Sequence, residues 1–157
     1  MTDNQKKLIL EAYRRSEERL RSQKEMAIAA DQRAMTFAGF MIAAATVLGG
    51  FAFSATIKGP IIFTSALLIV SAFLAVLSAS PAQFGTTGGK FTEWKTDVDE
   101  DIPFEFVLKQ VGGFQDEDIE DNEVVMSGNA KLMNGSIFFA IASIIPLIFA
   151  FLFPGVF

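Results

Sequence analysis

Three long stretches without a charged residue restrict what this chain can fold into. They run from Ala34 to Ile57, from Ile61 to Ala79 and from Ser136 to Phe153. Each is close to the roughly 20 apolar residues that a helix needs to cross about 30 Å of hydrocarbon. The stretches therefore predict three transmembrane helices and argue against a small soluble domain.

The residue types that are missing exclude several kinds of chemistry. The 157 residues include no Cys and no His, which rules out disulfides, thiolate or imidazole metal sites, haem held by those ligands, and Ser-His or Cys-His catalysis. No charged residue interrupts the three apolar stretches, so they lack the usual mark of an ion or proton pathway. We expect no catalytic residue, no metal site and no cofactor, and we do not expect an enzyme.

The charges predict how the chain is oriented in the membrane. Residues 1–33 hold eight of the thirteen Lys and Arg, and residues 81–133 hold four Lys against twelve Asp and Glu. Three crossings place both segments on one side and leave only Lys58 on the other. Basic residues near a span resist translocation, so both segments are expected to be cytoplasmic. The acidic balance of the larger segment argues against a nucleic-acid partner.

These features predict an all-α integral membrane protein in four parts. Residues 1–33 form a cytoplasmic N-terminal helix, 34–80 a transmembrane hairpin, 81–133 an acidic cytoplasmic insert, and 134–157 the third transmembrane helix. Thr2 and Gln5 fit a capping box, and no Gly or Pro precedes Gly39, so the first helix is expected to continue into the first span. In the insert we expect a loop over 81–102, then a helix antiparallel to the N-terminal one that leads into the third span.

Small residues in the first span suggest where helices pack. Close backbone approach favours small side chains in membranes. The alternative is that Gly and Ala are simply common in membrane helices. The predicted packing residues are Gly39, Ala43, Ala45, Gly49 and Gly50.

The other two spans are expected to play different parts. The second span, which is rich in Leu, Ile and Phe, is expected to face lipid. Pro146 is expected to kink the third span, either as a hinge or as a tolerated bend.

Three charged residues lie where helices are expected to enter the membrane. Asp31 and Arg33 precede the first span and Lys131 precedes the third, so they are predicted to anchor the helices at the membrane surface. A salt bridge between Asp31 and Lys131 is a further hypothesis, because it would join the two cytoplasmic helices.

Two other motifs only partly match known sites. Gly85, Gly88, Gly89 and Lys90 resemble a phosphate-binding loop, but Phe84 stands where the first Gly is needed. Asp97, Asp99 and Asp101 alternate as in a calcium loop, yet Ile102 and Leu108 replace the required Gly and Glu. A flexible linker and a solvated acidic loop are the favoured readings.

The order of these parts resembles the small membrane effectors of bacterial nucleotide-signalling defence, the Pycsar transmembrane effectors and the related SLATT membrane domains. The residues that carry the resemblance are Ala30 to Ala34, the run Gly39 to Gly50, and Gln110-Val111 followed by Lys131 before Ile137.

The resemblance implies a homo-oligomer in the lipid bilayer of the bacterial inner membrane, with a cytoplasmic N-terminus, that senses a cyclic nucleotide or a partner during phage infection and perturbs that membrane. The unusually acidic insert departs from the family, and no nucleotide pocket is implied residue by residue. Two alternatives remain: an accessory subunit of a larger inner-membrane complex, and a phage holin.

Overall fold

The protein is built almost entirely from helices. A computed structural model describes residues 1–55, 58–80, 84–86 and 91–153. Helices hold 89% of these residues and no strand occurs among them, which confirms the all-α class. Within these ranges, three helices are long and apolar enough to cross a membrane, as expected. The helices are α1 (Asp3–Ala52), α2 (Lys58–Ser78), α3 (Phe91–Asp99), α4 (Phe104–Ala142) and α5 (Ile144–Leu152).

The chain divides into two compact units, each of which is made of two separate stretches of the sequence. The first, named here the polar unit, comprises Met1–Ile28 and Ala82–Met126. The second, the apolar unit, comprises Ala29–Pro81 and Ser127–Phe157. Helices α1 and α4 contribute residues to both.

In the polar unit, α1 begins with the predicted capping box. The Thr2 backbone N–H donates to Gln5 Oε1 at 2.8 Å, and the Gln5 N–H donates to Thr2 Oγ1 at 3.3 Å. These two bonds satisfy backbone donors that the first helical turn leaves without partners. The helix then continues to Ala52 without a break, which confirms that the N-terminal helix and the first apolar stretch are one element.

Helices α1 and α4 are parallel in the polar unit, so the expected antiparallel pairing was wrong. Ser16 bonds to Gln115 and Gln23 to Asn122, and the two residues of each pair are 99 positions apart. A constant separation in sequence requires both helices to run in the same direction. The reason is visible along the chain: in each helix the polar half precedes the apolar half.

The expected loop over 81–102 was also partly wrong, because α3 occupies Phe91–Asp99. The Gly residues of this segment all lie before Phe91, and no Gly or Pro follows until Pro103, so the second half is free to be helical. Asp101 ends this segment with a left-handed backbone (φ 53°). The Asp101 N–H donates to the Val98 carbonyl at 3.3 Å and the Ile102 N–H to the Asp97 carbonyl at 3.0 Å, the pattern of a Schellman cap.

This cap gives a first prediction. Glycine adopts a left-handed backbone without the steric cost that a Cβ imposes. Asp101→Gly is therefore expected to stabilise the polar unit by about 0.5–1 kcal/mol. Equilibrium unfolding of the purified protein measures the change. Asp99→Gly, inside α3, is the matched control and is expected to destabilise the unit, so a lower stability for Asp101→Gly would contradict the cap.

In the apolar unit α2 is the most enclosed helix, so the expectation that it faces lipid was wrong. In the most apolar 18 residues of α2, 39% of the residues are buried, against 17% in the corresponding part of each of the other two long helices. Ala72 and Ala75 of α2 pack against Ala38 of α1 in a buried cluster that Phe37 and Met133 border. Phe63, Ile69 and Phe73 of α2 do point outward. Its small residues and Leu68 form a second, buried face, which brings the neighbouring helices close.

The third apolar helix is interrupted where Pro146 predicted a kink. Helix α4 ends at Ala142 and α5 begins at Ile144, with Ser143 between them. Because proline has no N–H, Pro146 cannot donate to the Ala142 carbonyl one turn earlier, which accounts for the position of the break. A hinge role for Pro146 stays a prediction.

Candidate functional site

Buried polar side chains lie between α1 and α4 of the polar unit at heptad spacing. Ser16 and Gln23 on α1 are seven residues apart, and so are their partners Gln115 and Asn122 on α4. Gln23, Gln115 and Asn122 are at most 5% exposed, and the almost fully buried Leu20 lies between the two layers in sequence. Buried polar pairs at seam positions favour one helix register over others.

Asn122 is the centre of a hydrogen-bond network that joins three segments of the polar unit. Its Nδ2 donates to Gln23 Oε1 and to the Gly85 carbonyl, both at 3.2 Å. Its Oδ1 accepts from the Gly85 backbone N–H at 3.0 Å. Gln23 Nε2 in turn donates to the Ile119 carbonyl at 3.2 Å. Both amide protons of the Asn122 side chain are used, although the residue is only 1% exposed.

Gly85 approaches α4 so closely that no side chain fits at this position. A Cβ built on Gly85 would lie 2.4 Å from Asp118 Cβ and 2.4 Å from Asp118 Cγ. Cβ atoms are fixed to the backbone, so a rotamer change of Asp118 cannot remove the first clash. The glycine therefore permits the approach that brings its backbone within hydrogen-bond distance of Asn122.

Among the described residues of the polar unit, two side chains have a shifted pKa. A hydrogen bond from Lys6 lowers the pKa of Glu105, because it favours the ionised carboxylate. Burial raises the pKa of the Tyr13 phenol, and the bond that its hydroxyl donates to Glu17 Oε1 at 2.8 Å adds to the increase. Neither side chain lies against a second group whose pKa is shifted. A pair of groups with shifted pKa values, as is typical of acid–base catalysis, is therefore not found among the described residues.

The apolar unit also has polar contacts inside it. Ser71 Oγ donates to the Ser136 carbonyl at 2.8 Å, and Ser136 Oγ donates to the Ser71 carbonyl at 2.7 Å. Two turns away, Thr64 Oγ1 donates to the Ser143 carbonyl at 3.0 Å. From one contact to the other the position on α2 falls from 71 to 64, while the position of the partner rises from 136 to 143. Helix α2 is therefore antiparallel to α4. Such side-chain bonds hold helices together where lipid gives no hydrophobic driving force.

The predicted membrane anchors do not form an ion pair with one another among the described residues. Asp31 is half-buried, and Arg33 and Lys131 are exposed. Arg33 Nε donates to the Ala29 carbonyl of its own helix at 3.1 Å. Among the residues that the structure describes, no salt bridge joins Asp31 to Lys131, so that hypothesis finds no support. The anchoring role of the three residues stays a prediction.

The predicted packing residues divide into two sets. Ala45 is buried within the chain, and Gly49 is half-buried with its Cβ position 4.0 Å from Ser65 Oγ. Gly39, Ala43 and Gly50 are exposed. A Cβ added to Gly39 or Gly50 would meet no described residue within 4 Å beyond its own turn of the helix. The first set packs α1 within the chain, and the second leaves a face of α1 uncovered.

The two partial motifs do not form sites in the described part of the chain. Gly88, Gly89 and Lys90 lie outside the described residues, while Gly85 contacts Asn122. Asp97 and Asp99 belong to α3, and Asp101 caps it. In the ranges that the structure describes, no group of three acidic residues is arranged to hold a metal ion.

Sequence reasoning missed the buried polar residues because it treated polar side chains outside the apolar stretches as solvated. A signal was present. Positions 115, 122, 129, 136 and 143 are seven apart and all carry Gln, Asn or Ser. Four of the five are buried, and Asn129 is half-buried. A column of uncharged polar residues at this spacing indicates one helix face that packs through hydrogen bonds.

Together these features define a class: an all-α protein with three helices able to cross a membrane and with polar contacts between its helices. Comparison of this chain with protein-family models, with curated proteins and with solved structures found no match.

Proposed function

We propose that this protein is an oligomerising effector of bacterial nucleotide-signalling antiphage defence that perturbs the inner membrane when triggered. In this proposal the apolar unit lies in the bilayer and the polar unit in the cytoplasm. The orientation follows from the Lys and Arg bias, since only Lys58 lies on the opposite side. The resemblance to the small membrane effectors supports the defence role and nominates a cyclic nucleotide or a protein partner as the trigger.

One observation carries the assembly part of the proposal: the uncovered small-residue face of α1. Thr36, Gly39, Ala43, Thr46 and Gly50 recur at spacings of three and four, and all five are exposed. Bulky residues flank them, and Phe40 and Phe51 are more than 60% exposed. A helix of a second copy would fit such a groove, because small residues permit close backbone contact within lipid.

The mechanism needs two arrangements of the same helices. The three apolar stretches carry no charged residue that would fix a single arrangement of their helices. Helices α1 and α4 each contribute residues to both units. A ligand that binds the polar unit better in one arrangement shifts the population toward it. Assembly through the α1 groove then disturbs the bilayer.

The experiment uses Gly39→Leu combined with Gly50→Leu. Beyond its own turn of α1, neither glycine has a described neighbour within 4 Å of the Cβ position, so the change should leave the monomer folded while blocking the groove. In bacteria that express the wild-type protein, phage challenge is expected to cause uptake of a membrane-impermeant dye and fewer plaques. The double variant is expected to lose both effects. After purification it is expected to have a smaller native mass than the wild-type protein.

The matched control is Phe40→Leu combined with Phe51→Leu, which alters the groove walls without filling its floor. It is expected to retain oligomerisation and dye uptake. A monomeric wild type would contradict the proposal. Stable co-purification with a larger membrane complex would instead support the accessory-subunit alternative.

A further inference from the structure

We propose that residues 84–86 act as a clamp on the α1–α4 pair, and that release of this clamp loosens the pair at the Asn122 layer. The inference concerns the polar unit alone and does not depend on the membrane activity proposed above. It rests on three features of Gly85: its two bonds to Asn122, the burial of that side chain, and the absence of room for a Cβ.

The clamp is held by reciprocal bonds. Asn122 accepts from the Gly85 N–H and donates to the Gly85 carbonyl, so one side chain satisfies both polar groups of one backbone residue. The same Nδ2 also donates to Gln23 on α1. Residues 84–86 therefore bond to the side chain that joins the two helices, and not to an outer surface of α4.

The clamp and the helix pair depend on one another through the orientation of the Asn122 amide. Gly85 bonds to both the oxygen and the nitrogen of this amide, and so holds the remaining N–H toward Gln23. If residues 84–86 leave, water can reach the side of Asn122 that they covered and the amide is free to turn toward it. Gln23 Oε1 then loses a fixed donor although Gln23 is only 4% exposed, and a buried polar group without a partner is costly. Binding of residues 84–86 to Asn122 thus favours the paired state of α1 and α4. By thermodynamic linkage, the pairing of the two helices favours the binding of residues 84–86 by the same factor. Any ligand that captures residues 84–86 away from α4 would open the pair.

The test uses cysteine cross-linking in the full chain, which has no native cysteine. Ser16→Cys with Gln115→Cys reports the closed α1–α4 pair through a short thiol-reactive linker. Ser71→Cys with Ser136→Cys reports the apolar unit, where the two hydroxyl oxygens are 3.2 Å apart. Each pair is combined with Gly85→Ala, whose Cβ cannot be accommodated against Asp118, or with Thr86→Ala as the matched control in the same segment.

Gly85→Ala is expected to slow cross-linking of the 16–115 pair at least about fivefold, and Thr86→Ala to leave it unchanged. Cross-linking of the 71–136 pair is expected to be unaffected by either change. Equal rates for the two variants at the 16–115 pair would overturn the proposal. It would also be overturned if Gly85→Ala slowed both pairs alike, because Gly85 would then act on folding as a whole.

Discussion

Replacement of Ser71 by leucine is expected to disrupt packing in the apolar unit more than any other single change proposed here. Ser71 and Ser136 are both 0% exposed, and their hydroxyls exchange two bonds with each other's backbone carbonyls. Leucine removes the bond that the Ser71 hydroxyl donates to the Ser136 carbonyl, and it inserts a larger side chain at a position that is 0% exposed. We expect a loss of about 2–4 kcal/mol, combining interhelical hydrogen bonds with overpacking.

Unfolding of the purified protein in mixed detergent micelles, followed by helical circular dichroism, measures this loss. Ala66→Leu is the matched control, since it adds a similar volume to an exposed position of the same helix. We expect Ala66→Leu to change the stability by less than about 0.5 kcal/mol. Ser71→Ala should lie between the two, because it removes the bond donated by the Ser71 hydroxyl without adding volume. Equal stabilities for the two leucine variants would show that the Ser71 face of α2 is not buried.

Replacement of Asn122 by alanine is the second large effect that we expect. The change leaves the Gly85 N–H and Gln23 Oε1 without their partner in a buried layer. A cost of about 1–3 kcal/mol follows from the desolvated polar groups, and the small cavity adds to it. Unfolding of the polar unit, monitored by hydrogen exchange of α1 and α4 amides, reports this loss.

Gln110→Ala is the control for Asn122→Ala, because it removes an exposed side-chain amide from the same helix. It should change hydrogen exchange little. The double variant Gln23→Leu with Asn122→Leu should recover part of the lost stability, since it removes both side-chain partners and replaces them with apolar groups. If Asn122→Ala were as stable as Gln110→Ala, the buried network would not contribute to the fold.

Local sequence features were sufficient for the elements themselves. The lengths of the charge-free stretches predicted three helices able to cross a membrane, and Thr2 with Gln5 predicted the cap of α1. Pro146 predicted a break in the last helix to within three residues. Each of these depends on residues close together in the chain, so the physical cause can be read directly from the sequence.

Contacts between distant residues were harder to predict. Composition suggested that α2 faces lipid, yet its small residues, such as Ser71 and Ala75, place it against α1 and α4. Averaging the composition of 81–102 concealed α3, because the glycines lie in only one part of that segment. The pairing of α1 with α4 was predicted in the wrong direction because helical periodicity gives the buried face of a helix but not its direction relative to a partner; the order of polar and apolar halves, which is the same in both helices, was the signal for a parallel pair.

What the sequence determined by itself was the class of structure: an uncharged stretch of about 20 residues can satisfy its backbone in lipid only as a helix or a closed barrel strand, and these stretches have helical length. The tertiary structure alone decided which polar side chains are buried together. A hydrogen bond between Asn122 and Gly85, or between Ser71 and Ser136, stabilises only when both partners are brought to one place. That proximity is set by how the helices pack, and no local pattern around any one of the four residues contains it.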